Sequence, residues 1–222
     1  MKKKNNLKKY KAHLFALKYL FYDIGRWSGF PLLFYYRMKK IYESKEAKKH
    51  HKKGAMIISN HILYNDVMIL QTAFWYRRLY SVAMKELFKG KFFSWILRHL
   101  LIIPIDREKF SMESFRHITN LLKGGNTVMI FPEGHVSHSN DNPMASFKSG
   151  AVLMALQAGV KIIPTYHELR PHWWNRQKLV IGDPIDVKAL MGDRMDMNKI
   201  EEITKYLYEK EQQLKQLYHK EK

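Results

Sequence analysis

The chain has 222 residues, of which 46% are hydrophobic, enough for one α/β domain with a buried core. It has no cysteine, which excludes disulfides, thiolate nucleophiles and most structural zinc sites. The 39 Lys and Arg residues outnumber the 20 Asp and Glu residues, and this formal net charge of +19 predicts attraction to anionic lipid, nucleic acid or an acidic carrier protein.

Residues 1–45 predict two amphipathic helices. Within residues 7–24, apolar residues recur every three or four positions, and most lysines lie off that stripe. A second helix is predicted to begin near Pro31 and to place Met38 and Ile41 on its apolar side. Helices rich in aromatic residues and lysine are typical of the membrane interface, although the pattern also fits a hairpin packed on the protein's own core. The sequence predicts neither a spanning helix nor a cleaved signal peptide.

Residues 46–222 predict an α/β domain, because short apolar runs alternate with helical patterns. The runs that predict strands are AMIIS, LYSVAM, LIIPID, NTVMIF, VKIIPTY and KLVIGDPI. Nearly continuous apolar strands separated by helices predict a mostly parallel central sheet with helices on both faces. One helical pattern, KELFKGKFFSWILRHL, has Phe88, Phe92, Trp95 and Ile96 on its apolar side.

Four polar clusters, NHILYND, IDRE, FPEGH and PTYHELR, follow predicted strands and are expected to meet at one edge of the sheet. The first contains His61 and Asp66. Five positions turn a helix by about 140°, so we expect His61 on the turn before the helix and Asp66 in its first turns. Asp66 would then accept from one ring nitrogen and leave the other as a base. The alternative is a helix capped by Asn60 or Asn65, with a histidine nearby by chance.

The other clusters contain residues suited to an anionic ligand. Arg107 follows a strand and suits bidentate contact with phosphate. Glu133 precedes Gly134, whose missing side chain allows a ligand to approach the backbone. Lys148, at the start of the next helix, would add positive charge near an anion. Each residue taken alone also fits an ordinary surface ion pair, a turn or a solvated side chain.

In this order, the blocks NHILYND, PIDR, FPEG and FKSGAVLMALQAGVKIIP resemble the four motifs of the glycerolipid acyltransferase family, which includes the 1-acylglycerol-3-phosphate acyltransferases. The resemblance covers roughly residues 54–170 and implies the family's fold with a two-helix membrane-binding N-terminus. It implies acyl transfer from acyl-CoA or acyl carrier protein to the hydroxyl of a lysophospholipid, at an anionic membrane surface on the cytoplasmic face of the cell membrane, without cofactor or metal. By the same resemblance, His61 is the general base and Asp66 orients it, while Arg107, Glu133 and Gly134 bind the acceptor.

The sequence departs from the family pattern after FPEG. The family usually has Thr-Arg-Ser there, with the arginine helping to hold phosphate, whereas this chain has His135-Val136-Ser137. His138 and Lys148 are the candidates to replace that arginine, although a neutral histidine is a poor phosphate ligand. 1-Acylglycerol-3-phosphate remains the leading acceptor, and a zwitterionic lysolipid or a lyso-aminolipid without phosphate also fits. His135, His138 and Glu133 also have a spacing that metal ligands adopt, but the family blocks already account for this loop.

Two other functions fit part of the pattern. A non-catalytic basic module for membranes or nucleic acid would explain the charge but not the polar residues at strand ends, so we expect no nucleic-acid partner. A lipid thioesterase would use the same histidine to activate water. The pair Trp173-Trp174 fits a lipid interface, an acyl tunnel or a loop that caps the core.

Overall fold

The structure, a computed structural model, describes residues 19–28, 30–49, 54–63, 65–106, 111–133, 147–192 and 194–221. The strands in these ranges are β1 (Lys39–Tyr42), β2 (Ala55–Ser59), β3 (Leu79–Met84), β4 (Ile102–Ile105), β5 (Thr127–Ile130), β6 (Lys161–Tyr166) and β7 (Lys178–Ile181). They form one sheet in the order β1-β7-β6-β2-β5-β3-β4. All neighbours are parallel except β6 and β7, which confirms the predicted mostly parallel sheet.

Helices cover both faces of this sheet. Those in the described ranges are α1 (Leu20–Ser28), α2 (Phe30–Tyr36), α3 (Asp66–Ala73), α4 (Lys91–His99), α5 (Met112–Lys123), α6 (Gly150–Ala158), α7 (Val187–Met191) and α8 (Met197–Lys220). Alternation along β2 divides the core: Met56 and Ile58 pack in the cluster that contains residues of α5, α6 and α8. Ala55 and Ile57 point the other way, into the cluster that contains residues of α3.

Two helix ends follow from local sequence chemistry. Ser111 precedes α5, and its hydroxyl accepts from the backbone N–H of Ser114 at 3.1 Å, which satisfies one of the free donors at the start of that helix. Gly159 ends α6 with a φ of +66°, a left-handed conformation that costs glycine little. Gly159 is therefore the C-cap of α6.

The prediction that the second helix includes Ile41 is wrong. The helix α2 ends at Tyr36, and Arg37 has a φ of +45°, which turns the chain out of the helix. The following residues form β1, whose partner is β7. Gln177 fixes this change of direction, because its N–H donates to Tyr36 O at 2.8 Å and its carbonyl accepts from Lys39 N at 2.8 Å. Strand pairing with a distant segment overrides the local helical pattern here.

The predicted helix over residues 85–100 is divided at Gly90. A short 3-10 helix (Lys85–Phe88) precedes Gly90, whose φ is +88°, and α4 follows it. The apolar side of α4 does not enter the core, because no residue of this helix is buried. Phe92 is 72% exposed and Trp95 is 48% exposed.

The helix α1 docks on the start of β3 through its polar side. Arg78 donates to both carboxylate oxygens of Asp23, at 3.0 and 2.6 Å. The backbone N–H of Leu79 donates to the hydroxyl of Tyr22 at 3.2 Å, and Tyr80 donates to the hydroxyl of Tyr19 at 3.1 Å. These contacts fix which side of α1 faces the domain and which side faces away from it.

The side of α1 that faces away continues onto α4. Phe21 contacts Trp95 edge to face, with ring centroids 5.1 Å apart. Seven large apolar side chains are exposed on these two helices, and we call this surface the α1–α4 face: Leu20, Phe21, Ile24, Trp27, Phe92, Phe93 and Trp95. Lys89, Lys91 and Arg98 are also exposed beside it. The surface therefore combines exposed rings with positive charge.

The N-terminal predictions are only partly covered by the structure. Residues 1–18, which contain most of the first predicted helix, lie outside the described residues. The predicted domain boundary after residue 45 stays a prediction, although β1 lies before that boundary and pairs with the sheet. In the ranges given above, none of the helices is both long and apolar enough to cross a bilayer.

Candidate active site

The site lies where three central strands end side by side. Strands β5 and β2 are parallel neighbours, and Ile58 pairs with Ile130. His61 and Glu133 each lie three positions beyond that pair, so both residues follow neighbouring strands at the same end of the sheet. Both are buried, with exposed fractions of 7% for His61 and 3% for Glu133. The predicted meeting of these two clusters at one edge of the sheet is confirmed.

His61 and Asp66 adopt the arrangement that their spacing predicts. His61 lies on the turn after β2, and Asp66 is the first residue of α3. The ring nitrogen Nδ1 of His61 lies 3.0 Å from Oδ2 of Asp66. Since a carboxylate can only accept, Nδ1 carries a hydrogen, and in the neutral ring Nε2 then has a free lone pair. The ring also stacks on Phe131, with centroids 4.2 Å apart, which limits its rotation.

Asp66 is held by backbone donors as well as by imidazole rings. Its Oδ2 accepts from the N–H groups of Ile62 at 2.6 Å and Leu63 at 2.8 Å, which lie on the turn before α3. Complete burial by itself would raise the pKa of Asp66. Contacts with the rings of His167 and His61 and with the backbone N–H of Leu63 outweigh that effect and hold the pKa well below its usual range. Asp66 is therefore an anion at neutral pH.

His167 is a site residue that the sequence analysis missed. It follows β6, the other neighbour of β2, and Ser59 pairs with Thr165 in the register of these two strands. His61 and His167 each lie two positions beyond that pair, so they too follow neighbouring strands at the same end of the sheet. Nε2 of His167 lies 3.0 Å from Oδ1 of Asp66. The sequence shows this histidine in the cluster PTYHELR. Only the pairing of β6 with β2 shows that it lies near Asp66.

The remaining predicted site residues are only partly placed. Lys148 is exposed just before α6, and its backbone N–H donates to the carbonyl of Pro132 at 3.0 Å, which brings it next to Glu133. Arg107 and Gly134 lie outside the described residues, as do His135 and His138. Across the part of the chain that the structure describes, no three His, Asp or Glu side chains form a group able to hold a metal ion. The expectation of a metal-independent site stays a prediction.

A second buried carboxyl lies close enough to Glu133 to feel its charge. Glu211 of α8 is 4% exposed. Burial raises its pKa to about 8, repulsion from Glu133 adds to that rise, and Lys215 opposes it. Glu211 is therefore mostly protonated at neutral pH and adds little negative charge to that of Glu133.

The paired tryptophans do not cap the core. Trp173 is 70% exposed and Trp174 is 56% exposed. A groove with a volume of about 250 Å³ lies beside them and extends to the start of α3. Its lining includes Tyr35, Tyr36, Asn65, Ile69, Arg170 and Trp173. Of the three predicted placements, the lipid interface and the lining of a substrate passage remain.

Comparison with known proteins places these features in a family. The family model described as Acyltransferase matches residues 40–168, more than half of the chain. A 1-acyl-sn-glycerol-3-phosphate acyltransferase of Streptococcus pneumoniae is 28% identical over 159 residues, covering 71% of this chain and 53% of the relative. A protein of the same description from Bacillus subtilis is 30% identical over 137 residues, covering 60% of this chain and 67% of the relative.

The fold is similar to that of a solved structure. The 1-acyl-sn-glycerophosphate acyltransferase PlsC of Thermotoga maritima matches with a TM-score of 0.60 and 22% identity, over 89% of this chain and 79% of that one. The chain spans about half the length of the Streptococcus pneumoniae relative and two thirds of the Bacillus subtilis relative. On the strength of the family match and the Bacillus subtilis relative, this chain belongs to the acyltransferase family.

Proposed function

We propose that this protein transfers a fatty acyl group from a thioester, acyl-CoA or acyl carrier protein, to the free hydroxyl of a lysophospholipid at a membrane surface. The contact between His61 and Asp66 is the main support, because it leaves one imidazole nitrogen able to accept a proton. The curated relatives named above are 1-acyl-sn-glycerol-3-phosphate acyltransferases, which makes that lysolipid the leading acceptor.

The reaction needs no covalent enzyme intermediate. Nε2 of His61 takes the proton of the acceptor hydroxyl while the oxygen attacks the thioester carbonyl. This attack forms the new C–O bond and gives a tetrahedral intermediate. The intermediate then collapses to the ester as the C–S bond breaks. The thiolate leaves and recovers a proton from the imidazolium, which restores the neutral ring. The Asp66 anion stabilises that imidazolium during the transfer.

Glu133 and Lys148 form the proposed acceptor side of the site. Glu133 is buried at the level of His61 and can accept from acceptor hydroxyl groups. Lys148, exposed and tied to Pro132, supplies positive charge for a phosphate or for the acidic donor carrier. Arg107 and Gly134 are proposed to complete this side, as the family resemblance implies.

The α1–α4 face is the proposed contact with the membrane. Aromatic side chains are favoured at the depth of lipid headgroups, and lysine or arginine beside them is attracted to anionic lipid. The face combines rings such as Trp27, Phe92 and Trp95 with exposed basic residues of the same helix, α4. An enzyme that acts on lysolipids needs such a surface because its acceptor is concentrated in the bilayer.

The direct test measures products. The purified protein is incubated with an acyl thioester and a panel of lysolipids, and the products are identified by mass. We expect a diacyl product from wild type and a loss of at least about 1,000-fold in His61→Ala, since the general base is removed. Free fatty acid as the main product would instead identify a thioesterase, and full activity of a folded His61→Ala variant would exclude the proposed base.

A separate measurement tests the membrane contact. Sedimentation with phosphatidylglycerol vesicles and with phosphatidylcholine vesicles compares anionic and neutral surfaces at matched lipid concentration. We expect binding to the anionic vesicles that weakens with salt, because the charge contribution is screened. Equal binding to both vesicle types would exclude the charge contribution, and absence of binding would exclude the membrane contact.

A further inference from the structure

The chemistry proposed for His61 does not use His167, although this ring is the more deeply buried of the two. The exposed fraction of His167 is 0%. Asp66 lies between the two imidazoles, with Oδ2 at 3.0 Å from His61 and Oδ1 at 3.0 Å from His167. The second contact is close but poorly aligned for a linear hydrogen bond. Each carboxylate oxygen therefore faces a different ring.

The backbone of His167 is fixed to the strand end that leads to His61. The side-chain amide of Asn60 donates to the carbonyl of His167 at 2.8 Å and accepts from its N–H at 3.1 Å. The hydroxyl of Ser59 lies 3.4 Å from Nδ1 of the ring. The backbone and the ring of His167 therefore both contact the carboxyl end of β2 or the residue that follows it. These contacts fix the position of the ring relative to the strand end that leads to His61.

The tautomer of His167 follows from its neighbours. The Asp66 carboxylate has no hydrogen to give, so the facing nitrogen, Nε2, must carry one. In the neutral ring Nδ1 is then an acceptor, and the Ser59 hydroxyl is the group near it. The backbone N–H groups of Ile62 and Leu63 hold Oδ2 near the turn, and a small rotation about the Cβ–Cγ bond would still move that oxygen away from Nδ1 of His61. A second ring on Oδ1 restricts that rotation and keeps Oδ2 directed at His61.

We propose that His167 is a positioning residue for the acyl-transfer reaction, holding Oδ1 of Asp66 so that Oδ2 stays on Nδ1 of His61. This inference rests on the proposed function for its effect on rate. His167 acts through Asp66 and is assigned no contact with either substrate. The arrangement extends the two-residue pair that the sequence predicts into a histidine–aspartate–histidine set that joins β2, α3 and β6.

Three variants of the full chain separate positioning from packing. His167→Gln keeps an N–H donor where Nε2 lies, since the Gln amide nitrogen occupies a similar distance from the backbone. His167→Asn is also polar, but its donor lies near the Nδ1 position and falls short of Asp66. His167→Leu fills the space without any donor. Steady-state rates with acyl-CoA and lysolipid, together with thermal unfolding, are measured for all three.

We expect kcat to fall about 10- to 100-fold in the Leu and Asn variants, with KM changed by less than about twofold, as for other residues that orient a reacting group. The Gln variant should recover most of kcat. Equal kcat in the Gln and Asn variants would overturn the proposal, because loss would then follow packing and not the donor. If the Leu variant does not fold, the comparison of Gln with Asn still decides.

A spectroscopic measurement keeps this inference separate from the proposed function. In protein labelled with 15N-histidine, the Nδ1–H of His61 and the Nε2–H of His167 are each observed directly. We expect the His61 Nδ1–H of His167→Asn to exchange with water at least about tenfold faster than in His167→Gln. Unchanged exchange would refute positioning even in an active enzyme, whereas slow exchange in a protein without acyl transfer would refute only the proposed function.

Discussion

At the carboxyl ends of β2 and β6 the protein buries titratable side chains, whereas on the α1–α4 face it exposes large apolar ones. His61, Asp66 and His167 are buried, while Phe92 is largely exposed. Both regions reverse the usual distribution of residues. The buried set is stable because its members contact one another and backbone N–H groups. On the α1–α4 face large apolar side chains are exposed together, and Phe21 contacts Trp95, which is typical of a surface that binds something else.

The comparison between α4 and α5 makes the same point within one fold. Both helices have an apolar stripe in their sequence. The stripe of α5 enters the core through Ile118, Leu121 and Leu122. The helix α4 buries no residue at all. Amphipathic periodicity therefore predicts that a helix has an apolar side, but it does not predict whether that side faces the core or the surroundings.

The largest effect is expected from breaking the buried set at its centre. Asp66→Asn replaces an acceptor with a group that presents N–H to one of the two rings. We expect acyl transfer to fall about 1,000-fold or more, because the Nδ1–H tautomer of His61 loses its charged partner. Steady-state rates measure the loss, and a lower unfolding temperature is expected as well.

Asp196→Asn is the matched control for this change. Asp196 caps α8 by accepting from the N–H of Asn198 at 3.1 Å, and asparagine caps helices equally well. Activity and unfolding temperature should therefore stay near wild type. Similar activity in the two variants would contradict the assigned role of Asp66.

An intermediate effect is expected from removing the exposed rings. Phe92→Ser combined with Trp95→Ser should lower binding to phosphatidylglycerol vesicles about tenfold, since less apolar area enters the lipid. The unfolding temperature should change little because α4 buries no residue. Vesicle sedimentation and thermal unfolding measure the two quantities.

The control for the ring variant is Leu190→Ser combined with Met195→Ser. These side chains are 42% and 66% exposed and lie on or after α7, which packs on α6 and α8. The change removes two exposed apolar side chains without touching α1 or α4. Equal loss of vesicle binding in both double variants would mean that the α1–α4 face has no special role.

The smallest effect is expected on the pH dependence of stability, from Glu211. This is a buried acid whose Oε2 has no hydrogen-bond partner in the described ranges. An unfolded glutamate loses its proton near pH 4.3. In the folded protein, burial and the charge of Glu133 raise the pKa of Glu211 to about 8. Between these values the unfolded state binds fewer protons, so this group lowers stability as pH rises toward 8.

Glu211→Gln removes that pH dependence. We expect its unfolding temperature to exceed that of wild type by about 5 °C or more at pH 8, with a clearly smaller gain at pH 5. Glu209→Gln, on the exposed side of α8, should show no such difference between the two pH values. A gain that does not depend on pH would contradict the raised pKa of Glu211.

The sequence predicts the contact between His61 and Asp66 because both residues lie in one short segment. His61 and Asp66 are five positions apart, and helix geometry places the first on the turn and the second in the helix. The distance of 3.0 Å between Nδ1 of His61 and Oδ2 of Asp66 agrees with that prediction. His167 depends instead on which strands are neighbours, and the order β6-β2-β5 does not follow from the chain order.

The strand β1 shows a second limit of local pattern. Met38 and Ile41 fit the apolar side of a helix that begins near Pro31, and nothing nearby contradicts it. Residues 39–42 form a strand instead, because β7 offers a parallel partner and Gln177 bonds to the backbone on both sides of the turn. Such long-range pairing competes with local propensity, and only the assembled sheet determines which prevails.

The pairing of β1 with β7 has a consequence for the order of folding. It joins Lys39 to Lys178, about 140 positions later, and contacts at such separations form late because a large loop must close first. During synthesis, β1 can pair only after β7 has left the ribosome. The helix α1 has its partners much earlier, at Arg78, Leu79 and Tyr80. We therefore expect the α1–α4 face to be assembled and available to a bilayer before the far edge of the sheet is closed.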